Sequence, residues 1–185
     1  MAKVLVACEY SGRVRDAFAK KGHTAVSCDL IASDEPGFHY EGDVFDILCA
    51  DWDLIIGFPP CTYLSYANSQ RWEAIKPQRE KALEFVDCLW GAPSPRVALE
   101  NPPGAIGTHI RRADQCFEPW QFGHPYSKRT CFWLRALPLL RATHTEEPSP
   151  GDVQAWTKVM RNGHDRSLTF QGIADAMAEQ WGAIL

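Results

Sequence analysis

The stretch Lys3-Val4-Leu5-Val6-Ala7-Cys8-Glu9-Tyr10-Ser11-Gly12 decides the fold class. Its apolar run ends at Glu9, and Val14, Phe18 and Ala19 then fall close to helical spacing as far as Gly22. This predicts a strand, a tight loop and a helix. Further strand-like runs follow: Thr24 to Asp29 ends in a carboxylate, and Trp52 to Phe58 is stopped by Pro59-Pro60. Arg96 to Glu100 and Thr130 to Leu134 read the same way. Pro77 suits the first position of a helix whose Leu83, Val86 and Trp90 recur at steps of three and four, and Gly91 suits the position just past its end. Ala174 to Ile184 predicts a closing helix. Apolar strands alternating with helices predict an α/β fold, with a parallel sheet covered on both faces.

A chain of 185 residues is long enough for one domain with a substantial core, and residues 1–185 are read as that domain. Residues 137–166 are rich in Pro, Thr and Glu and read as a solvated connection. The longest apolar runs, such as Leu54 to Phe58, are far too short to span a membrane, and the N-terminus lacks the plan of a secretory signal, so a cytoplasmic location is expected. Seven cysteines, at 8, 28, 49, 61, 88, 116 and 131, argue against a disulfide scaffold or a Cys-x-x-Cys site. Most are expected to be small buried hydrophobes. His109, His124, His144 and His164 show no metal-ligand spacing.

A net charge of −4 speaks against gripping long duplex DNA by charge alone, but the charge is uneven. Residues 1–95 carry nine Lys/Arg against fourteen Asp/Glu, whereas residues 111–141 carry six against two. A polyanion fits the second stretch, as does an ordinary solvated face. Trp120 and Phe122 beside it suit either base stacking or the core.

The chemically informative residues cluster at predicted strand ends, where ligands bind in open α/β sheets. They are Glu9 to Gly12, Asp29, Asp43, Pro59-Pro60-Cys61 and Glu100-Asn101-Pro102. A Gly-containing loop followed about twenty residues later by a carboxylate suits a nucleoside-bearing cofactor, because the carboxylate accepts both ribose hydroxyl protons. The full Gly-x-Gly-x-x-Gly and a Walker lysine are both missing, which disfavours tight cradling of a pyrophosphate. Two prolines stiffen the loop before Cys61 and hold its thiol in one place, as a nucleophile requires. Glu100, at a strand end beside a rigid loop, is a poor core residue and a good general acid or base.

The order of the Ser-Gly loop, Gly42-Asp43-Val44, Pro59-Pro60-Cys61, Glu100-Asn101-Pro102 and the Gly-x-Pro-x-Ser-Lys-Arg-Thr run at 123–130 resembles the DNA cytosine-C5 methyltransferase family. Gln171-Gly172-Ile173-Ala174 is similar to that family's last motif, so the likeness covers nearly the whole chain. The closest analogy is to a short, phage-type member. The resemblance implies a Rossmann-like class I methyltransferase sheet with S-adenosylmethionine as cofactor. Cys61 would attack C6 of the pyrimidine, Glu100 would act at N3, and C5 would take the methyl group. Asn101 would position Pro60 and the Cys61 loop. The resemblance assigns Asp29 to the cofactor ribose and Asp43 to its adenine, with Glu9, Tyr10, Ser11, Gly12, Leu30, Val44, Phe58, Gly172 and Ile173 completing the pocket.

The departures from the family pattern matter equally. Glu9 and Tyr10 stand where the family is glycine-rich and aromatic, so the contact to the methionine end of the cofactor must differ. Only Lys128 matches the first arginine of Gln-x-Arg-x-Arg, and Thr130 replaces the second, which leaves Lys128 or Arg129 as the cation supporting the base. Where the family inserts a target-recognition domain, this chain has only residues 137–166. The expected substrate is therefore cytosine in DNA, bound weakly and with low sequence specificity through phosphate contacts of Arg111, Arg112, Lys128 and Arg129. The same chemistry on a free cytosine nucleotide or single-stranded nucleic acid is the alternative, and a non-catalytic cofactor-binding partner of a separate recognition chain is another.

Overall fold

Strands in which every residue is apolar need a core on both faces, and the chain supplies two. The computed structural model describes residues 1–159 and 168–185. Within them, β1 (Lys3–Ala7), β2 (Thr24–Asp29), β3 (His39–Glu41), β4 (Leu54–Gly57), β5 (Val97–Asn101), β6 (Gln115–Phe117) and β7 (Thr130–Arg135) form one sheet in the order β3-β2-β1-β4-β5-β7-β6. Successive side chains alternate between its faces. Val4, Val6, Leu54, Ile56 and Phe132 join one core, and Leu5, Ala7, Ile55, Leu99 and Trp133 the other. Helices α1 (Arg13–Lys20) and α5 (Gln171–Gln180) close the first face, and α2 (Lys76–Trp90) the second. The short α3 (Ile106–His109) follows β5. Trp181, fully buried, locks the end of α5 by donating from Nε1 to the Pro138 carbonyl at 2.9 Å.

The expected strands and helices are present, with differences that have physical causes. The sheet is mixed: β1 to β5 run parallel, but β7 pairs antiparallel with both β5 and β6. Strands β3 and β6, three residues each, are too short to carry a periodic signal. The closing helix begins at Gln171 rather than Ala174 and stops at Gln180, with a short 3-10 turn over Gly182–Ile184. Residues 137–166 are not wholly irregular, since α4 spans Pro150–Val159. Proline at its first position is compatible with a helix start, and the Ser149 hydroxyl accepts a hydrogen bond from the Asp152 N–H at 3.3 Å. The rest of that stretch, residues 160–166, lies outside the described residues.

The cysteines also depart from expectation. Cys49, Cys61 and Cys88 are exposed, and Cys116 and Cys131, partners across β6 and β7, are joined as a disulfide. A spacing of fifteen residues looks unremarkable in the sequence; the antiparallel pairing brings the two together. No helix among the described residues is long and apolar enough to cross a membrane.

Gly172 shows how closely α5 is packed, because a Cβ there would overlap the Phe122 carbonyl oxygen. Gly172→Ala should therefore lower stability by about 1–3 kcal/mol, although Gly→Ala inside a helix ordinarily gains. Gly107→Ala in α3 meets nothing within 4 Å and serves as the control, expected neutral or stabilising in urea denaturation.

Candidate active site

The carboxyl ends of β1, β2 and β4 open onto a cavity of about 490 Å³. Asp29 and Leu30 enter it from the end of β2, and Asp43 and Val44 from the turn after β3. Asp43 is fixed by accepting the Phe45 N–H at 3.0 Å. The walls are otherwise apolar: Pro59, Pro60 and Tyr63 form one side, while Phe45 packs edge to face on Phe85 of α2, with ring centroids 5.5 Å apart. Gln78 and Lys81 of α2 reach the same cavity. Phe45, Phe85 and Tyr63 were not singled out in the sequence because their place depends on α2 folding over the strand ends.

Two cysteines form part of its lining. Cys8 takes a left-handed conformation, φ 60°, at the end of β1, which is a strained backbone for a residue with a Cβ. Burial, followed by the nearby Asp29, pushes its thiol up to about 12. The same two causes push Cys28 up to about 11. Both therefore stay protonated near neutrality and are poor nucleophiles.

Cys61 differs in being exposed, and its loop is held from outside. Pro60 directs the chain into the 3-10 turn Cys61–Tyr63. The Asn101 side chain, buried at the end of β5, donates from Nδ2 to the Pro59 carbonyl at 2.6 Å. Beyond Cys61 the loop is tied again: the Ala105 N–H donates to the Leu64 carbonyl at 2.8 Å and the Tyr66 N–H to the Pro103 carbonyl at 3.1 Å. Gly104 lies against the Leu64 carbonyl so closely that a Cβ there would overlap it. The loops after β4 and β5 thus form one unit, with Asn101 acting on Pro59 rather than directly on Pro60.

Glu100, one residue before Asn101, shares a small cavity of about 20 Å³ with Lys128, Thr130, Phe170 and Ile173. Burial raises its carboxyl above the ordinary range, while the Lys128 ammonium and a hydrogen bond with Thr130 pull it part of the way back. Of the two candidate cations, the structure places Lys128 against Glu100, whereas Arg129 is exposed and does not line that cavity. Cavity and charge together give a carboxyl that holds its proton more tightly than an ordinary glutamate and has a cation beside its anion.

Several residues expected around the cofactor lie elsewhere. Glu9 is buried, and its Oε1 accepts from the Ser11 hydroxyl at 2.8 Å and from the Val14 N–H at 3.0 Å, so Glu9 and Ser11 close the first turn of α1. Its Oε2 is buried without a partner. Gly12, at φ 74°, faces Arg15 and Glu35, not the large cavity. Tyr10 and Phe58 are also outside its lining, their backbones bonded to Asp34 and Ala7. The Gly172 N–H donates to the His124 ring at 2.9 Å, and Ile173 belongs to the core and the Glu100 cavity. Arg111 is committed to both oxygens of Asp114 at 2.7 Å and to the Leu134 carbonyl, which removes it from the set of free phosphate contacts. Phe122 is core and not a stacking surface. Among the described residues, no cluster of His, Cys, Asp and Glu is arranged to hold a metal ion.

Known proteins can be set beside this geometry. No protein-family model matches the sequence. No curated protein matches it. Among solved structures, the Entamoeba histolytica methyltransferase EhMeth superposes with a TM-score of 0.54 at 15% identity, over 80% of this chain and 58% of its own. The S. pombe Dnmt2 methyltransferase superposes with a TM-score of 0.51 at 16% identity, over 89% of this chain and 58% of its own. The chain thus spans 58% of the length of each of these two. At such identities the likeness establishes the fold: a Rossmann-like α/β sheet of the class I methyltransferase type.

The position of Glu9 gives a direct test of its capping role. Burial raises its carboxyl above the ordinary value of 4.5, outweighing its hydrogen bonds to Val14 and Ser11. The unfolded chain then ionises first as pH rises, so Glu9 costs stability progressively from the ordinary carboxylate range up to its folded pKa. Glu9→Gln keeps an acceptor for Val14 and removes that cost. Its melting temperature should gain on the wild type as pH rises through that window, measured by calorimetry between pH 4 and pH 8. Equal pH profiles would contradict the assignment.

Proposed function

We propose that the chain transfers the methyl group of S-adenosylmethionine to C5 of cytosine in DNA through a covalent adduct with Cys61. The observation that carries this reading is the Asn101–Pro59 hydrogen bond, which joins the strand end bearing Glu100 to the loop bearing Cys61, beside a cavity with two carboxylates. The fold likeness to two methyltransferases supports it. The cavity fits the cofactor: Asp29 and Asp43 are acceptors for a nucleoside's hydroxyl and amine protons, and Leu30, Val44, Phe45 and Phe85 offer apolar faces for its base. When bound, the cofactor supplies an electrophilic methyl group on a sulfonium.

The residues of the chain account for the remaining steps. The Cys61 thiolate adds to C6, and the electron pair of the 5,6 double bond makes C5 nucleophilic while Glu100 delivers a proton or hydrogen bond to N3. With the cofactor held by Asp29 and Asp43, C5 would be placed to accept the methyl group that its sulfonium would supply. Loss of the C5 proton to water then expels the thiolate, and N3 returns any proton it received to Glu100, which restores the ring. Lys128 stabilises the Glu100 carboxylate left after proton donation. Of the four cations expected on phosphate, Arg112 and Arg129 are the exposed pair uncommitted to Glu100 or Asp114, so binding is weak and salt-sensitive. With α4 the only helix described in the 137–159 stretch, that connection is far short of a recognition domain. This supports methylation in many sequence contexts.

Two outcomes follow. Cys61→Ala should abolish transfer of labelled methyl to mixed oligonucleotides while leaving cofactor affinity within about twofold, and full turnover by the variant would end the covalent reading. Transfer to dCMP in place of oligonucleotides would move the substrate to the free nucleotide, and cofactor binding without transfer to either would favour a partner subunit. Lys128→Met removes the cation that lowers the Glu100 pKa, so the pKa rises and the alkaline limb of the kcat/KM profile should move to higher pH. A limb that stays in place or moves down would contradict the pairing.

A further inference from the structure

The segment that follows Cys61 is more rigid, more aromatic and more cationic than a connection to α2 requires. The N–H groups of Leu64 and Ser65 both donate to the Cys61 carbonyl at 3.0 Å, so the chain folds straight back beside the cysteine. Leu64 is buried at 1% exposure and anchors the loop, while Tyr63 and Tyr66 on either side remain 39% and 46% exposed. The loop is braced further by Asn68 Nδ2 donating to the Thr62 carbonyl at 2.6 Å and by the Ser65 hydroxyl accepting the Ala67 N–H at 3.2 Å. Tyr66 does not sway freely at its tip. Its ring stacks on Trp72, with centroids 5.3 Å apart and planes at 29°, and the Arg79 guanidinium lies over the same Trp72 ring at 4.8 Å. Arg79 is itself held by donating from Nη1 to the Trp72 carbonyl at 2.9 Å.

An exposed tyrosine held in one orientation by a second aromatic has no core to fill. It presents an ordered π surface to solvent. The charge around it is also distinctive: residues 61–81 carry Arg71, Lys76, Arg79 and Lys81 against Glu73 and Glu80, in a chain of net charge −4. Arg71 and Lys76 are exposed. Aromatic faces interleaved with cations are what a strand of nucleic acid requires, because each base offers a π face and each phosphate a negative charge. In a duplex those faces are covered by neighbouring bases, so only an unstacked base can use this one.

We propose that Tyr66, backed by Trp72 and followed in the same segment by the exposed Arg71 and Lys76, stacks on a nucleobase adjoining the one presented to Cys61, so that the substrate is a single-stranded nucleic acid in preference to a free nucleotide or an intact duplex. The identity of the presented base rests on the cytosine reading above. The stacking platform does not. Mononucleotides lack the adjoining base altogether, and a duplex would have to be opened at two positions.

The test measures binding of fluorescein-labelled eight-residue oligonucleotides by anisotropy, with deoxyribose and ribose versions, single-stranded and annealed. Wild-type protein should bind the single strand at least tenfold more tightly than the duplex. Tyr66→Ala should weaken single-strand binding roughly 5- to 100-fold, the cost of losing one base–aromatic stack, and Tyr66→Phe should restore it. Tyr66→Leu keeps apolar volume without the π face and should bind like the alanine variant, which separates stacking from simple packing. An abasic residue next to the target cytosine should cost the wild type a similar factor and the Tyr66→Ala protein almost nothing. Whichever sugar binds more tightly identifies the strand, and either preserves the platform. Unchanged affinity in both Tyr66→Ala and Tyr66→Leu, or a duplex that binds as well as the single strand, would overturn it. Tyr66-dependent binding with no methyl transfer would instead leave the platform standing and remove the cytosine chemistry. Methyl transfer with the same kcat/KM in Tyr66→Ala would do the reverse.

Discussion

The arrangement around Cys61 depends on one buried side-chain amide. Asn101 ends the fifth strand, and its donation to the Pro59 carbonyl spans the step from that strand to its parallel neighbour. Parallel strands end side by side with no turn between them, so nothing in the sheet itself orients the loops that leave it. The amide supplies that orientation at the root, and the Leu64–Ala105 and Tyr66–Pro103 backbone bonds repeat it further out. Leaving a buried acceptor unpaired costs about 1–3 kcal/mol, enough to make the joined form of the two loops dominant. Pro59 and Pro60 reduce what must be ordered, since their φ angles are already set.

Two carboxylates show how position separates an acid that closes a helix turn from one that faces a cavity. Glu9 and Glu100 both have pKa values raised first by burial. Glu9 spends one oxygen on the Val14 amide and the Ser11 hydroxyl, inside the turn that starts α1, and lines none of the cavities described above. Glu100 borders a cavity and faces a lysine, so its proton has somewhere to go and its anion has a partner. The same residue type at the same kind of strand end therefore sits in two different settings. The distinction lies in which groups surround each carboxyl, and these come from distant parts of the chain.

That contrast explains how far the sequence could be read. The strands from 3, 24, 54, 97 and 130 were legible because each is an apolar run closed by a loop residue, and α2 because proline and glycine mark its ends. Asp29, Asp43 and Pro60 were legible as neighbours, and Asn101 as a partner of the proline loop, because strand ends in an open sheet converge. Glu9 was misplaced because a capping acid and a ligand-binding acid look alike after a strand. Gly12 and Gly172 were placed in the cofactor pocket, but the close contacts they permit are with Arg15 and Phe122. The Cys116–Cys131 pairing and the Phe45–Phe85 contact arise from strand pairing and helix placement, which residue spacing does not encode.

Arg15 explains why the apolar cavity lies toward Asp29 and Asp43 and the space beside the β1–α1 loop is polar. Its guanidinium is buried and fully engaged: Nε meets Asp16, Nη1 meets the hydroxyls of Ser27 and Ser33, and Nη2 meets the carbonyls of Glu35 and Pro36. Gly12 and Gly37, both with positive φ, lie so close to it that a side chain at either would collide with the guanidinium. Arginine thus fills the space beneath the loop and pins residues 33–37 over α1, where a glycine-rich loop would leave room for a ligand's phosphates or amino-acid end. The apolar cavity lies between β2, the Asp43 turn and α2, while the cavity that remains beside the β1–α1 loop, about 320 Å³ and lined by Ser11, Arg13, Asp16, Asp34 and Glu35, is polar. In the proposed reading, the cofactor would be gripped in the apolar cavity chiefly by its nucleoside, and its reactive end would extend past Pro59 and Pro60 toward the loop that carries Cys61.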